Sequence, residues 1–371
     1  MKIRIPEIWI TASIMIFAVS CSKPSAMAES GSEIRTDTLI FADTVGTLMG
    51  DTNYVFGDIR TVTVLPAGIA VLDGIACRIS MFDRSGEFLS SSGRQGSGPG
   101  EYSQPWAMCL LQGGEYFVFD HGAQRMTLLD PSLNFLGSID AFMRVPLKVT
   151  SGADSMVVIK EIVIRFEDEQ LFGGYRIYSL NAYNGREGCV YRNCQLPMGA
   201  EEVDLRSEFC FFATDATGNV YLADYDSDEY EIEILSPDGE LVRAITMDSQ
   251  PREDFDIEVH ALDRLPIMIP LTTESGTSNL IISAPEKHPY VTGLAVDGED
   301  NIWVRRMGVE QRETWDVVSP EGELLRHVVL AADTTGTGCY PSLNVSSFGM
   351  VATFSLEDEF ERFFTVKQQN L

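Results

Sequence analysis

The chain has 371 residues, with 27 basic against 55 acidic side chains and a formal net charge of −28. A field of that sign repels phosphate backbones and anionic headgroups, which excludes nucleic acid as a partner and leaves the membrane surface approachable only through some added anchor. The acidity by itself names no substrate.

In chain order, Lys2 and Arg4 precede an apolar run from Ile8 to Val19 that only Thr11 and Ser13 interrupt, the layout of an export signal. About a dozen apolar residues are too few to span a bilayer comfortably. The run ends in Ala18-Val19-Ser20-Cys21, small residues before a cysteine. This resembles the lipobox of bacterial lipoproteins, with Ala18 where that box usually has leucine, and it predicts lipidation at Cys21. A rival A-x-A site at Ala26-Met27-Ala28 would instead release a soluble periplasmic protein. Residues 22–33 are small, polar and free of aromatic side chains, as suits a flexible tether. The expected organisation is a signal over 1–21, a tether over 22–33, and one body over 34–371.

Within that body a hairpin returns. Phe82-Asp83-Arg84-Ser85-Gly86-Glu87-Phe88-Leu89 aligns with three later segments that begin at Leu129, Leu235 and Val318. Each is an apolar run, a tight polar turn and a second apolar run. Apolar runs at Gly68–Leu72, Glu115–Phe119, Asn219–Ala223 and Asn301–Val304 precede them, so each unit holds about four short strands, the content of one propeller blade. A weaker copy lies at 155–192, and a last one from Phe348 to Val366 stops one strand short of a blade. Asp37–Ala42 is strand-like, has no local partner and can supply the missing strand, closing the ring and covering two sheet edges. The predicted fold is all-β, a six-bladed β-propeller closed by an N-terminal strand. Its interblade insertion at 248–288 has room for a short helix, since Phe255, Val259 and Leu262 within Arg252–Leu265 follow helical spacing.

The segment Gly93-Arg94-Gln95-Gly96-Ser97-Gly98-Pro99-Gly100-Glu101-Tyr102 resembles the G-x-x-G-x-G-P-G-E-[YF] stretch of bacterial six-bladed β-propeller lipoproteins of Bacteroidetes type, relatives of the NHL-repeat proteins. The resemblance implies a fold and an envelope address, on the periplasmic or outer-membrane side. It implies no activity.

The residues offer little catalytic chemistry. Once Cys21 is set aside, Cys77, Cys109, Cys189, Cys194, Cys210 and Cys339 remain. Most lie in apolar runs and read as buried small hydrophobes, with Cys189 and Cys194 the one local pair. No cysteine stands at zinc-ligand spacing from a histidine, and His121, His260, His288 and His327 show no ligand pattern. Asp224, Asp226 and Asp228 alternate as calcium ligands can, but Glu229 and Leu235 stand where a calcium loop needs glycine and glutamate. The glycine-rich link at Gly93 lacks the lysine and following helix of a phosphate loop. It reads as a turn from the outer edge of one blade back to the axis.

Function is therefore expected on the ring face that carries the second-to-third-strand loops and the interblade links. Those loops are read as 73–76, 120–123, 165–174, 224–229, 305–310 and 356–359, and the links include 93–105, 140–146 and the insertion. The candidate binding residues are Arg94, Glu101, Tyr102, His121 and Arg144 at an axial mouth partly covered by the insertion. The leading expectation is a non-enzymatic binding or scaffold protein for a peptide, glycan or protein partner, with no cofactor and no metal. The alternative is an axial-metal hydrolase or lyase of calcium type, because calcium-dependent lactonases and zinc-using amidating lyases share the six-bladed class.

Overall fold

The computed structural model describes residues 34–141, 144–168, 170–198, 203–204, 210–224, 229–247, 267–273, 276–282, 290–307, 313–331, 342–354 and 361–368. Residues 34–371 form one compact unit. Its first strand is β1 (Arg35–Val45). Blade one follows as β2 (Ile59–Leu65), β3 (Gly68–Asp73), β4 (Arg78–Phe82) and β5 (Phe88–Ser92), and blade two as β6 (Pro105–Leu110), β7 (Tyr116–Asp120), β8 (Arg125–Leu129) and β9 (Phe135–Asp140). Blade three is β10 (Val145–Ser151), β11 (Met156–Glu167), β12 (Gln170–Asn181) and β13 (Glu187–Met198). After the short β14 (Val203–Asp204), blade four is β15 (Cys210–Thr214), β16 (Val220–Asp224), β17 (Glu231–Leu235) and β18 (Leu241–Thr246). The insertion contributes a hairpin of β19 (Ile267–Thr273) and β20 (Gly276–Ile282), with β14 parallel to β20. Blade five is β21 (Gly293–Val296), β22 (Ile302–Met307), β23 (Glu313–Val318) and β24 (Leu324–Leu330), and β25 (Ser342–Ser346), β26 (Gly349–Phe354) and β27 (Arg362–Gln368) begin blade six.

Each blade is a simple antiparallel meander. The innermost strands touch in sequence, β2 to β6, β10, β15, β21, β25 and back to β2, so the six blades close a ring around one axis. Second strands are sandwiched between neighbouring blades and read as unbroken buried runs, as in β3 and β7. Outermost strands such as β5 and β18 are largely exposed and polar or mixed. Among the described residues packing is correspondingly divided into six apolar clusters, one in each gap between blades. Phe117 and Phe119 of blade two, for instance, meet Val157, Ile159 and Tyr178 of blade three. A fully buried phenylalanine stabilises by roughly 1.5–3 kcal/mol, so each gap is held by several such terms.

The N-terminal strand closes the ring as its unpartnered pattern predicts. β1 runs antiparallel to β27 from Leu39↔Gln368 to Val45↔Phe363 and forms the fourth strand of blade six. Its first half also pairs in parallel with β24, from Arg35↔Arg326 to Leu39↔Leu330. One strand thus covers two edges and fuses blades five and six into an eight-stranded sheet.

Three details differ from expectation. Residues 165–174 are not a loop: β11 and β12 pair as far as Glu167↔Gln170. Period-two alternation continues through Ile164 and Phe166, and Gly174 lets the strands pack closely, since a Cβ there would lie 2.0 Å from the Cys194 carbonyl oxygen. Blade six starts at Ser342 rather than Phe348, because β25 is mostly polar and carries only Leu343 and Val345 as apolar signal. The insertion contains a β-hairpin, while the helix expected at Arg252–Leu265 lies outside the described residues.

Candidate functional site

The face that carries the interblade links is built by a device that repeats at a spacing of five residues. Asp73 ends β3 and Arg78 begins β4; Asp120 ends β7 and Arg125 begins β8. Asp73, nearly inaccessible to solvent, accepts from the backbone N–H groups of Gly57 (2.9 Å), Asp58 (3.2 Å), Ile75 (3.0 Å) and Ala76 (2.9 Å). Asp120, also buried, accepts from Ser103 (2.8 Å), Gln104 (2.8 Å) and Ala123 (3.1 Å). Each carboxylate ties its own turn to the incoming link, and charge-assisted bonds of this kind are the strong ones. The arginines take the other half of the link: Arg78 donates to the carbonyls of Thr52 and Val55, Arg125 to those of Ser97 and Glu101. In both turns the residue before the arginine, Cys77 or Gln124, has positive φ (52° and 47°).

Link 93–105 shows where three expected site residues lie. Arg94 donates to Glu101 (2.8 and 2.6 Å), whose second oxygen accepts from the Gly98 N–H at 2.8 Å. The bonds from the Gly98 amide and Arg94 lower the Glu101 carboxyl below its ordinary value. Tyr102 is buried in the core between blades one and two, and burial, then Asp120, raises its phenol. Gly93 takes φ +98° beneath the Tyr102 ring, where a Cβ would lie 2.7 Å from it. Arg94, Glu101 and Tyr102 are thus brought together, with Glu101 and Tyr102 spent on the shape of the link.

His121 sits in the next turn, its backbone N–H donating to Gln104 O at 3.0 Å. Its ring centroid is 6.1 Å from that of Trp106, and the Arg60 guanidinium lies 4.0 Å over Trp106. Arg60 and Trp106, from the innermost strands of blades one and two, were not singled out from sequence, because a lone arginine or tryptophan in a strand carries no local signal.

Arg144 belongs to a different cluster. It pairs with Glu161 (3.4 Å) and Glu187 (2.8 Å), and Arg176 pairs with the same two acids at 2.7 and 2.9 Å. Tyr178 donates to Glu161 at 2.9 Å. Burial alone would lower the Arg176 pKa, but its bonds to Glu187 and Glu161 outweigh this and raise it. Glu161 pairs across the sheet with Pro146 and Arg176, the positions that Asp73 and Asp120 hold in their own blades. In blade five that position is Arg306, opposite Thr314, and the residue before it, Arg305, donates to Thr292 O at 2.7 Å.

Toward the axis, two lysines of blade three reach across to β15. Lys160 Nζ donates to Cys210 O at 2.7 Å, and Lys148 Nζ donates to Phe212 O at 2.7 Å and Leu294 O at 3.5 Å. An innermost strand has one edge without a neighbour in its sheet, and these ammonium groups satisfy its carbonyls. Lys148 lowers to about 8 through burial, then Lys160 and Arg305. Lys160 also lowers to about 8 through burial. Lys148 is nevertheless exposed as a residue, so walls of protein surround a side chain that solvent still reaches in part. Val145 and Leu147 of the same strand are each 40% exposed.

Among the described residues no group of three or more His, Cys, Asp or Glu side chains is placed to hold a metal ion. His327 pairs with the buried Asp316 (2.7 Å), which Tyr230 also reaches (2.9 Å). Cys77, Cys109, Cys189 and Cys210 are free thiols, so Cys189 and Cys194 are not joined to each other. Asp224 faces Arg192 at 3.5 Å. Cys21, Asp226, Asp228, His260, His288, Cys339 and the 356–359 loop lie outside the described residues.

A family model, DUF5128, described as a 6-bladed beta-propeller, matches residues 47–124. No curated protein matches the chain. Among solved structures, an exported protein of Bacteroides fragilis is 12% identical over 91% of this chain and 100% of its own, with a TM-score of 0.47. A member of the DUF4221 family from Bacteroides vulgatus is 8% identical over 90% and 98%, with a TM-score of 0.48. The calcium-binding protein regucalcin of Agrobacterium tumefaciens is 11% identical over 88% and 94%, with a TM-score of 0.44.

Proposed function

We propose that the protein is an exported, lipid-anchored propeller of the cell envelope that holds a peptide, glycan or protein partner at the mouth of its ring, without catalysing a reaction. The observation that carries this reading is the axial wall at blade three. There Val145, Leu147 and Lys148 of one innermost strand stay open to solvent inside a closed ring. Exposure on an innermost strand is exposure to the axis or its mouth, and packing of the blades does not require it. Apolar surface with a few convergent polar groups in a concavity suits ligand binding. Binding is favoured over catalysis because Asp73, Asp120 and Glu161, three carboxylates at this end, are committed to backbone amides or arginines. The Cys21 motif and the polar tether support the anchoring.

The test is capture on peptide and glycan arrays, and of envelope proteins, by the mature chain. The expected result is a ligand class whose capture is lost in a Val145→Gln/Leu147→Gln variant and kept in an Asp238→Ala/Glu321→Ala variant of the opposite face. Capture lost through the opposite face alone, or no capture at all, overturns the reading.

A further inference from the structure

We infer that the ligand held at the mouth presents a carboxylate on an apolar body, and that Lys148 is the group that receives it. The inference rests on the mouth being a binding surface and adds the chemistry of what binds there. An ammonium has three N–H donors. Lys148 directs one at Phe212 O (2.7 Å) and a second, at the limit of hydrogen bonding, at Leu294 O (3.5 Å), with its Nζ also 5.0 Å from the Phe212 ring centroid. Among the described residues the third finds no acceptor, and no carboxylate lies within ion-pair distance.

The contrast with the same blade is sharp. Arg144 and Arg176 each share Glu161 and Glu187, so a blade well supplied with acids leaves its axial lysine without one. Among the described residues the charged groups that act on Lys148 are Lys160 and Arg305, both cationic. The local field at Lys148 is thus positive in a chain whose net charge is −28. Walls of protein around Lys148 reduce solvent screening, so an arriving anion gains from its charge. Val145 and Leu147 supply the apolar contact on the same strand. That pairing of cation and aliphatic wall fits a carboxylate next to an aliphatic group, as at a peptide end after an apolar residue or on a short acyl chain.

The experiment is titration calorimetry of the mature chain with N-acetyl-leucine, N-acetyl-leucinamide, hexanoate and hexanamide. Each acid is expected to bind at least about tenfold more tightly than its amide, the size of one charge-assisted hydrogen bond. Lys148→Met removes that preference, and Lys148→Arg retains it. N-acetyl-leucine binding above hexanoate identifies a peptide end as the source, and the reverse order an acyl chain. Amides that bind as well as acids in the wild-type chain overturn the inference, whether or not the variants fold. So does an acid preference that survives in a folded Lys148→Met protein. Should the arrays show mouth-dependent capture while neither acid binds, the carboxylate assignment falls and the binding reading stands. If the arrays are blank while acids bind through Lys148, the carboxylate assignment stands and the peptide, glycan or protein reading falls.

Discussion

Asp120 concentrates three backbone N–H donors on one buried carboxylate, so a single side chain sets the course of a whole interblade link. Asp120→Asn keeps the volume but removes the charge and turns an amide NH2 toward at least one of those donors. The expected loss is about 2–4 kcal/mol in urea unfolding. Asp130→Asn, in an exposed hairpin turn, is expected to lose much less. Lys160 gives a pH signature. Its ammonium is buried with Cys210 O as acceptor, the Tyr175 and Phe211 rings close by and Lys148 as the neighbouring cation. Its pKa is about 8 in the fold against an ordinary 10.5. Between those values the unfolded chain binds more protons than the native one, so this group makes stability rise with pH across that window. Wild type is therefore expected to gain stability relative to Lys160→Met as pH rises from about 8 to 10, measured by denaturant titration. The Cys210 thiol, raised to about 12 by burial, acts in the opposite direction above its ordinary value and cancels to first order in that comparison.

Closure of the ring rests on β1. β1 contributes two ladders, one to β27 and one to β24, and buries Leu39 and Val45. Deleting residues 35–45 exposes both edges at once, and unpaired edges template association. The deleted chain is expected to aggregate or to melt far below the intact one, by light scattering and calorimetry. A deletion that melts like wild type would show that closure by β1 is dispensable. The hairpin turns are more tolerant, and one departs from its relatives. Leu133 takes φ +64° where Gly86, Gly239 and Gly322 stand in the aligned turns. A leucine there is strained, and its burial between blades one and two offsets the strain.

At the scale of the whole molecule, stability is distributed over six interblade cores rather than one centre. The surface is left to charge, and a net −28 keeps such a ring soluble while repelling anionic membranes. The proposed attachment therefore rests on the Cys21 motif. Cys21→Ala is expected to abolish membrane association and to accumulate the unprocessed precursor, seen by fractionation and mass. Cleavage after Ala28 with unchanged distribution would show the lipid reading to be wrong.

The blades were legible in the sequence wherever a strand is covered on both faces. Gly68–Leu72 and Glu115–Phe119 are continuous apolar runs because neighbouring blades leave them no solvent. The turn at Asp83-Arg84-Ser85-Gly86 was legible because its local backbone demands particular residues. Innermost and outermost strands were less visible, as β25 shows, since one edge or face meets water and their composition turns polar. The pairing of Asp73 with Arg78 and of Asp120 with Arg125 repeats in the sequence, yet its meaning as a clamp on the preceding link appears only when that link is brought back beside the turn. The five expected site residues shared one face in the repeat argument, but packing spends Glu101 and Tyr102 on the link and places Arg144 among Glu161, Arg176 and Glu187. Lys148 had no signal of its own. A lysine in a strand is ordinarily a solvated side chain, and only closure of the ring sets this one against the carbonyls of two other blades. Local backbone and burial demands are written residue by residue, whereas a site assembled from different blades exists only once the ring has closed.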